Sequence, residues 1–198
     1  MNIFETEAIA KIVMNQSNHK PFTQTLWKDL RCRPCHLGDV MMVRDFMRID
    51  LVYASTSGNV EVVMETVAKV LRQHGFEIVL NRAEKTPIKI IKNNKYFVFG
   101  TSTWDHGQLN PFFQKLYEAM QTENFQNKEA AFVGLGDRRY EPVLFCEGIK
   151  KVHVLWSKKG GKEVGAVLKI QGEPYENLDS QVVPWASELA QFWKSHRA

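Results

Sequence analysis

The chain has 198 residues, 44% of them hydrophobic and 24% charged, a size and balance that fit one well-buried domain and leave too little for two of ordinary size. No stretch offers the roughly 18 consecutive apolar residues of a membrane span, and residues 1–14 carry Glu5 and Glu7 instead of the basic start and apolar run of a secretory signal, so a cytoplasmic protein with no membrane partner is expected. The net charge of +4 comes without a run of roughly five like charges, which argues against a nucleic-acid partner.

Residues 1–46 form an N-terminal extension that lacks the pattern of the remainder. Cys32-Arg33-Pro34-Cys35-His36 has the spacing of a covalent haem-attachment site, of a redox pair, or of half a zinc site. The missing export signal speaks against haem, and no second Cys or His pair at suitable spacing supports zinc, so incidental cysteines are expected and no metal. With Cys146 the chain holds three cysteines, an odd number in a chain without an export signal, which points to reduced thiols. Met41, Met42 and Met47 are alternative starts. The extension is therefore either upstream of the functional protein or an arm, helical or disordered over 5–14 and 24–30.

From residue 47 to 198 short β-rich runs alternate with helical periodicity, the signature of an α/β fold with parallel strands joined by crossover helices. The apolar runs 49–54, 76–80, 96–99, 130–135 and 164–170 predict five buried strands. Between them, Val60, Val63, Met64, Val67 and Leu71 share one helical face, as do Leu109, Phe112, Phe113, Leu116, Tyr117 and Met120. Phe145, Ile149, Val152 and Trp156 form a third stripe, and Val182, Ala186, Leu189 and Trp193 a fourth. These aromatic and Met stripes are expected in the core. Asn110-Pro111 supplies a helix cap followed by proline at the first helical position, and His74-Gly75 supplies a stop. His106 and His153 are lone histidines, expected to be structural or solvated, and no catalytic triad emerges.

Ser55-Thr56-Ser57-Gly58-Asn59-Val60 follows the first strand and opens the first helix. A helix start leaves its first N–H groups unpaired and carries partial positive charge, and the neighbouring hydroxyls and amide add donors, so the turn suits a phosphate. It lacks the Gly-Lys-Ser/Thr ending of a nucleotide-triphosphate loop and the three-glycine dinucleotide fingerprint, which disfavours ATP and NAD. Taken alone, such a turn is also what ordinary helix capping would produce.

This turn resembles the phosphate-binding loop of flavodoxins, and two further loops strengthen the likeness. Gly100-Thr101-Ser102-Thr103-Trp104-Asp105-His106-Gly107-Gln108-Leu109 resembles the segment whose aromatic residue covers one face of the flavin ring. Gly134-Leu135-Gly136-Asp137-Arg138-Arg139-Tyr140, followed by Phe145-Cys146, is similar to the loop that stacks a tyrosine on the other face. The resemblance extends from about residue 47 through Gln171-Gly172-Glu173-Pro174 to the C-terminus. It implies a flavodoxin-like doubly wound sandwich of the short-chain type, sheet order 2-1-3-4-5, with non-covalent FMN at the carboxyl edge of the strands. Its implied cofactor residues are Ser55, Thr56, Ser57, Gly58, Asn59, Val60, Ser102, Thr103, Trp104, Asp105, Gly107, Leu135, Gly136, Asp137, Tyr140 and Phe145. The implied function is a low-potential electron carrier, not an enzyme, with no catalytic residues. It would be a monomer shuttling single electrons between a reductase donor and an acceptor protein. The alternatives are an NAD(P)H quinone reductase of the same fold and a regulatory module that has lost its flavin.

Four departures from the family pattern stand out. Val60 replaces the last hydroxyl of the phosphate turn. Asp105 replaces a glycine whose carbonyl turns toward the ring, a rotation that is costlier without glycine. The stretch 141–144 is longer than expected. The fourth departure is charge: the protein has a pI near 8.9, where the family is usually acidic, which removes the expected acidic partner surface. Arg138 and Arg139 at the ring edge would then make the second reduction potential less negative.

Overall fold

β1 (Arg48–Ala54) is an apolar run in which only Arg48 reaches solvent, the pattern of a strand covered on both faces. The computed structural model describes residues 47–139 and 142–196; the expectations placed on residues 1–46 and on Tyr140 fall outside the described residues. β1 pairs in parallel with β2 (Glu77–Arg82) on one side and with β3 (Tyr96–Trp104) on the other. β3 carries the two-residue antiparallel strand β4 (Gln108–Leu109) near its end and pairs in parallel with β5 (Glu129–Gly136). The outer edge of β5 takes β6 (Lys162–Glu163) and β7 (Leu168–Gln171).

The expected parallel order 2-1-3-4-5 is thus present, in a sheet of seven strands. The expected fifth strand at 164–170 is the pair β6 and β7, both on β5. Between them the Trp185 indole donates to the Ala166 carbonyl at 2.7 Å, so the backbone there serves a helix instead of the ladder.

Alternation along the strands divides the core. Ile49, Leu51 and Tyr53 of β1 join one cluster with α1 (Asn59–Gln73), while Val52 and Ala54 join another on the opposite face, as the two-residue period of a strand requires. In α1 the predicted stripe Val60, Val63, Met64, Val67 and Leu71 is buried. The six-residue α2 (Ile88–Asn93) was not expected; it buries only Ile91 and is too short to show a stripe. α3 (Pro111–Met120) begins as predicted, with Asn110 Oδ1 accepting from the Phe112 amide at 3.0 Å. Its Phe113, Leu116 and Met120 are buried, whereas Phe112 is exposed.

α3 and α4 (Glu147–Lys158) fill the second cluster, and α5 (Val183–Ser195) returns to the first. The second cluster is rich in rings: Trp156 stacks on Phe125 at 4.5 Å and meets Phe99 edge-on at 5.3 Å. Asp50, fully buried in β1, accepts from Arg48 and Asn81 through Oδ1 and from Asn94 through Oδ2, which satisfies the charge.

α4 approaches the end of β3 closely because its second residue is Gly148. A Cβ there would lie 2.7 Å from the Ser102 carbonyl oxygen, and the Gly148 amide donates to Thr103 Oγ1 at 3.1 Å. Gly148→Ala is expected to lower stability by about 1–3 kcal/mol despite alanine's better helix propensity, since the obstacle is backbone. A urea denaturation midpoint at or above that of the wild type would contradict this.

Candidate functional site

Parallel pairing places the ends of β1, β3 and β5 side by side: Ala54 stands opposite Thr101, and Thr101 opposite Gly134. The loops leaving these ends enclose a cleft of about 750 Å³, within the range of small-molecule and cofactor sites. It lies at the carboxyl edge of the sheet, where doubly wound folds bind ligands.

The first wall is the turn after β1, where Ser55, Thr56, Ser57, Asn59 and Val60 line the cleft. Gly58 is the residue before α1, at φ 89 with no side chain to cap the helix, a conformation that favours glycine. The amides of the first turn of α1 therefore remain available to a ligand. Ser55 is buried, and its Oγ has no hydrogen-bond partner among the described residues. Val60, the departure from the hydroxyl pattern, is 2% exposed and belongs to the first core cluster; the position serves packing.

The second wall is the end of β3 and the turn after it. Ser102, Thr103, Trp104, Asp105, His106 and Gly107 line the cleft. Ser102 Oγ accepts from Asn110 Nδ2 at 3.0 Å, and with the Thr103–Gly148 bond this fixes the backbone on which Trp104 stands. Trp104 is 44% exposed, an unusual state for an indole in a domain whose Trp156 and Trp193 are buried. The left-handed residues of this turn are His106 and Gly107, at φ 46 and 78, one position beyond the Asp105 singled out from the sequence.

The third wall follows β5. Leu135, Gly136 and Asp137 line the cleft. The Gly172 amide donates to the Gly136 carbonyl at 2.8 Å, Gln171 Nε2 donates to Asp137 Oδ1 at 2.8 Å, and the Arg138 amide donates to Gln171 Oε1 at 3.1 Å. Asp137 also accepts from the Arg139 guanidinium, at 2.6 Å from Nη2, and from its amide at 2.9 Å. These bonds hold the Asp137 carboxyl well below the usual carboxylate range, the Arg139 guanidinium contributing most. Arg138 instead lies over the Phe145 ring at 4.3 Å.

Thirteen of the sixteen residues expected from the sequence line one cleft. Gly58 shapes the turn without lining it, Phe145 packs against the second core cluster and carries Arg138, and Tyr140 lies outside the described residues. The lining also includes His106, Arg139, Leu144, Gly172 and Glu173. Gly172 and Glu173 follow a parallel strand next to β5, and that placement at the carboxyl edge is the signal that could have found them. Leu144 belongs to the longer stretch before Phe145; its Cδ1 would be 3.1 Å from a Cβ on Gly107, so the stretch supplies cleft wall.

Cys146 sits at the N-cap of α4 at φ 58. It is fully buried, and burial pushes its thiol up to about 11, which makes it unreactive. His153 pairs with Glu163 at 2.6 Å. Among the described residues no cluster of His, Cys, Asp or Glu could hold a metal ion, and no helix is long and apolar enough to cross a membrane.

The flavodoxin family profile matches residues 51–185. A flavodoxin of Maridesulfovibrio salexigens is 29% identical over 143 residues, covering 71% of this chain and 94% of that protein. Oxidised flavodoxin 2 from Bacillus cereus superposes with a TM-score of 0.69 at 26% identity, covering 73% of this chain and 99% of that one. A Fusobacterium nucleatum flavodoxin solved with flavin mononucleotide bound has the same fold, with a TM-score of 0.61 at 18% identity over 75% of this chain and 98% of that one. By the match over most of its length, this chain belongs to the flavodoxin family.

Proposed function

We propose that the cleft holds one FMN without a covalent bond and that the protein is a low-potential carrier of single electrons between redox proteins, working as a monomer in the cytoplasm. Flavodoxins are electron-transfer proteins, and this chain is one of them by sequence. The observation that carries the cofactor assignment is the start of α1. Its amides carry no side-chain cap, and in the turn that leads into them the buried Ser55 hydroxyl has no partner among the described residues. A buried polar atom left unpaired costs about 1–3 kcal/mol, and a phosphate oxygen placed there removes that cost.

In this reading the amides of the first turn of α1 and the hydroxyls of Ser55, Thr56 and Ser57 hold the phosphate. Trp104 covers one face of the ring, Tyr140 serves the other, and the backbone of Leu135 and Gly136 meets the ring edge. When bound, the flavin supplies reversible one-electron transfer, and the protein sets its potential. Two aromatic walls disfavour added negative charge between them, since burying charge beside apolar surface is costly. Arg139 is matched by Asp137 and Arg138 is turned onto Phe145, which leaves less positive charge at the cleft than the sequence suggests. The redox partners approach over the mouth, where the cleft-lining Trp104 is exposed.

Titration of the purified protein with FMN is expected to reach one equivalent with quenching of Trp104 fluorescence, and stepwise reduction to give two resolved one-electron steps in the visible spectrum. A colourless protein whose fluorescence ignores added FMN would overturn the assignment. Trp104→Ala is expected to weaken FMN binding by about three- to tenfold, the worth of one aromatic contact.

A pH dependence follows from Asp137. Its carboxyl is depressed in the folded protein, so it stays ionised, and keeps the third loop ordered, through the ordinary carboxylate pKa of about 4 and loses this only as pH falls toward the depressed folded value. FMN affinity measured in wild type and Asp137→Asn is expected to differ by a constant factor from about pH 8 down to about pH 4; convergence of the two at or above about pH 4 would refute the role.

A further inference from the structure

Arg82 stands behind the phosphate turn, outside the cleft lining, and touches both ends of that turn. It ends β2, in register with Tyr53 of β1. Its Nη2 donates to the Ser55 carbonyl at 3.0 Å, its Nη1 meets Glu61 Oε2 at 3.4 Å in the first turn of α1, and its Nε donates to Glu84 Oε1 at 2.7 Å. Two further bonds hold the parts in place: Tyr53 donates to Glu61 Oε1 at 2.7 Å, and Thr86 Oγ1 donates to the Arg82 carbonyl at 2.8 Å. Burial and the Glu61 carboxylate raise the Tyr53 phenol above its ordinary pKa, so it stays a donor at physiological pH.

We propose that Arg82 is a positioning residue that clasps the phosphate turn from behind and so gives the site its preference for a phosphorylated flavin over the unphosphorylated one. The proposal rests on the FMN assignment above. The peptide between Ser55 and Thr56 is trans, so drawing the Ser55 carbonyl toward Arg82 turns the Thr56 N–H the opposite way. Thr56 and Ser57 line the cleft on that other side. The same guanidinium fixes Glu61 at the start of α1, which sets the spacing between the serine–threonine donors and the helix amides. A planar fork of donors can make these contacts at once, and a lysine ammonium cannot. Geometry outweighs charge here, because Glu61 and Glu84 flank the guanidinium and offset its field at the cleft.

The test compares dissociation constants of FMN and riboflavin, which differ only by the phosphate, in wild type, Arg82→Met and Arg82→Lys. Loss of one charge-assisted hydrogen bond at the turn is expected to weaken FMN by about tenfold in Arg82→Met, with riboflavin unchanged. Amide exchange at Thr56 and Ser57 in the flavin-free variant is expected to quicken, a readout independent of ligand. If Arg82→Met does not fold, Arg82→Lys is read in the same way, with a fall in the FMN-to-riboflavin preference expected because its single point donor cannot span the turn. A variant that keeps the wild-type preference, whether both flavins weaken together or neither does, overturns the positioning role and leaves the FMN assignment intact. A wild-type chain that binds neither flavin overturns the FMN assignment and this inference with it.

Discussion

Parallel pairing of β1, β3 and β5 is the constraint on which the site depends. Parallel strands all end at the same edge, so three loops far apart in sequence leave the sheet side by side, with Ala54 beside Thr101 and Thr101 beside Gly134. A helix must follow each strand to return the chain, and α1 begins at Asn59, only five residues beyond Ala54. The free amides of a helix start are thereby delivered to the same edge as the loops. The anion site is a consequence of the topology before any side chain is chosen.

Side chains then decide which polar groups remain open. Ser102 Oγ is taken by Asn110, Thr103 Oγ1 by Gly148, the Gly136 carbonyl by Gly172, Asp137 by Gln171 and Arg139, and the Ser55 carbonyl by Arg82. All but the Asp137–Arg139 bond, which lies within one loop, join a strand end or loop to another segment of the chain, which anchors the walls without a ligand. Ser55 is the exception within the turn: its carbonyl is bonded and its buried hydroxyl is not. Buried polar groups are seldom left so in a settled core, and here the unsatisfied hydroxyl belongs to a cleft-lining residue in the turn that leads into α1.

Much of this was legible in the residues. The alternation of apolar runs and helical stripes gave the α/β class and the strands, and the Asn110-Pro111 cap fell where the structure places it. The turn after β1 read as a possible anion site because Ser, Thr, Gly and Asn stand at a strand-to-helix junction, while the strand order and the other two loops were legible only through their resemblance to the flavodoxin pattern. Contacts between distant segments were hidden: nothing local marks Gly172 and Glu173 as neighbours of Asp137, or Arg82 as a partner of Ser55. Short elements were hidden too, since the six residues of α2 and the two of β4 carry less than two periods of pattern.

The basic pI resolves once charge is assigned to places. At the cleft, Asp105, Asp137 and Glu173 stand against Arg139, Asp137 and Arg139 neutralise each other, and the exposed Arg138 over Phe145 adds a positive charge beside the lining, so this end is close to balance. Lys92 in the last turn of α2, and Lys95, Lys128 and Lys162 at the amino ends of β3, β5 and β6, gather where the parallel strands begin. That end is the opposite edge from the cleft. Fields from exposed charges fade over about 8 Å at physiological ionic strength, so a partner at the cleft mouth is screened from those lysines. The sum of charges over the chain therefore does not describe the cleft, and a basic composition is compatible with a nearly balanced site.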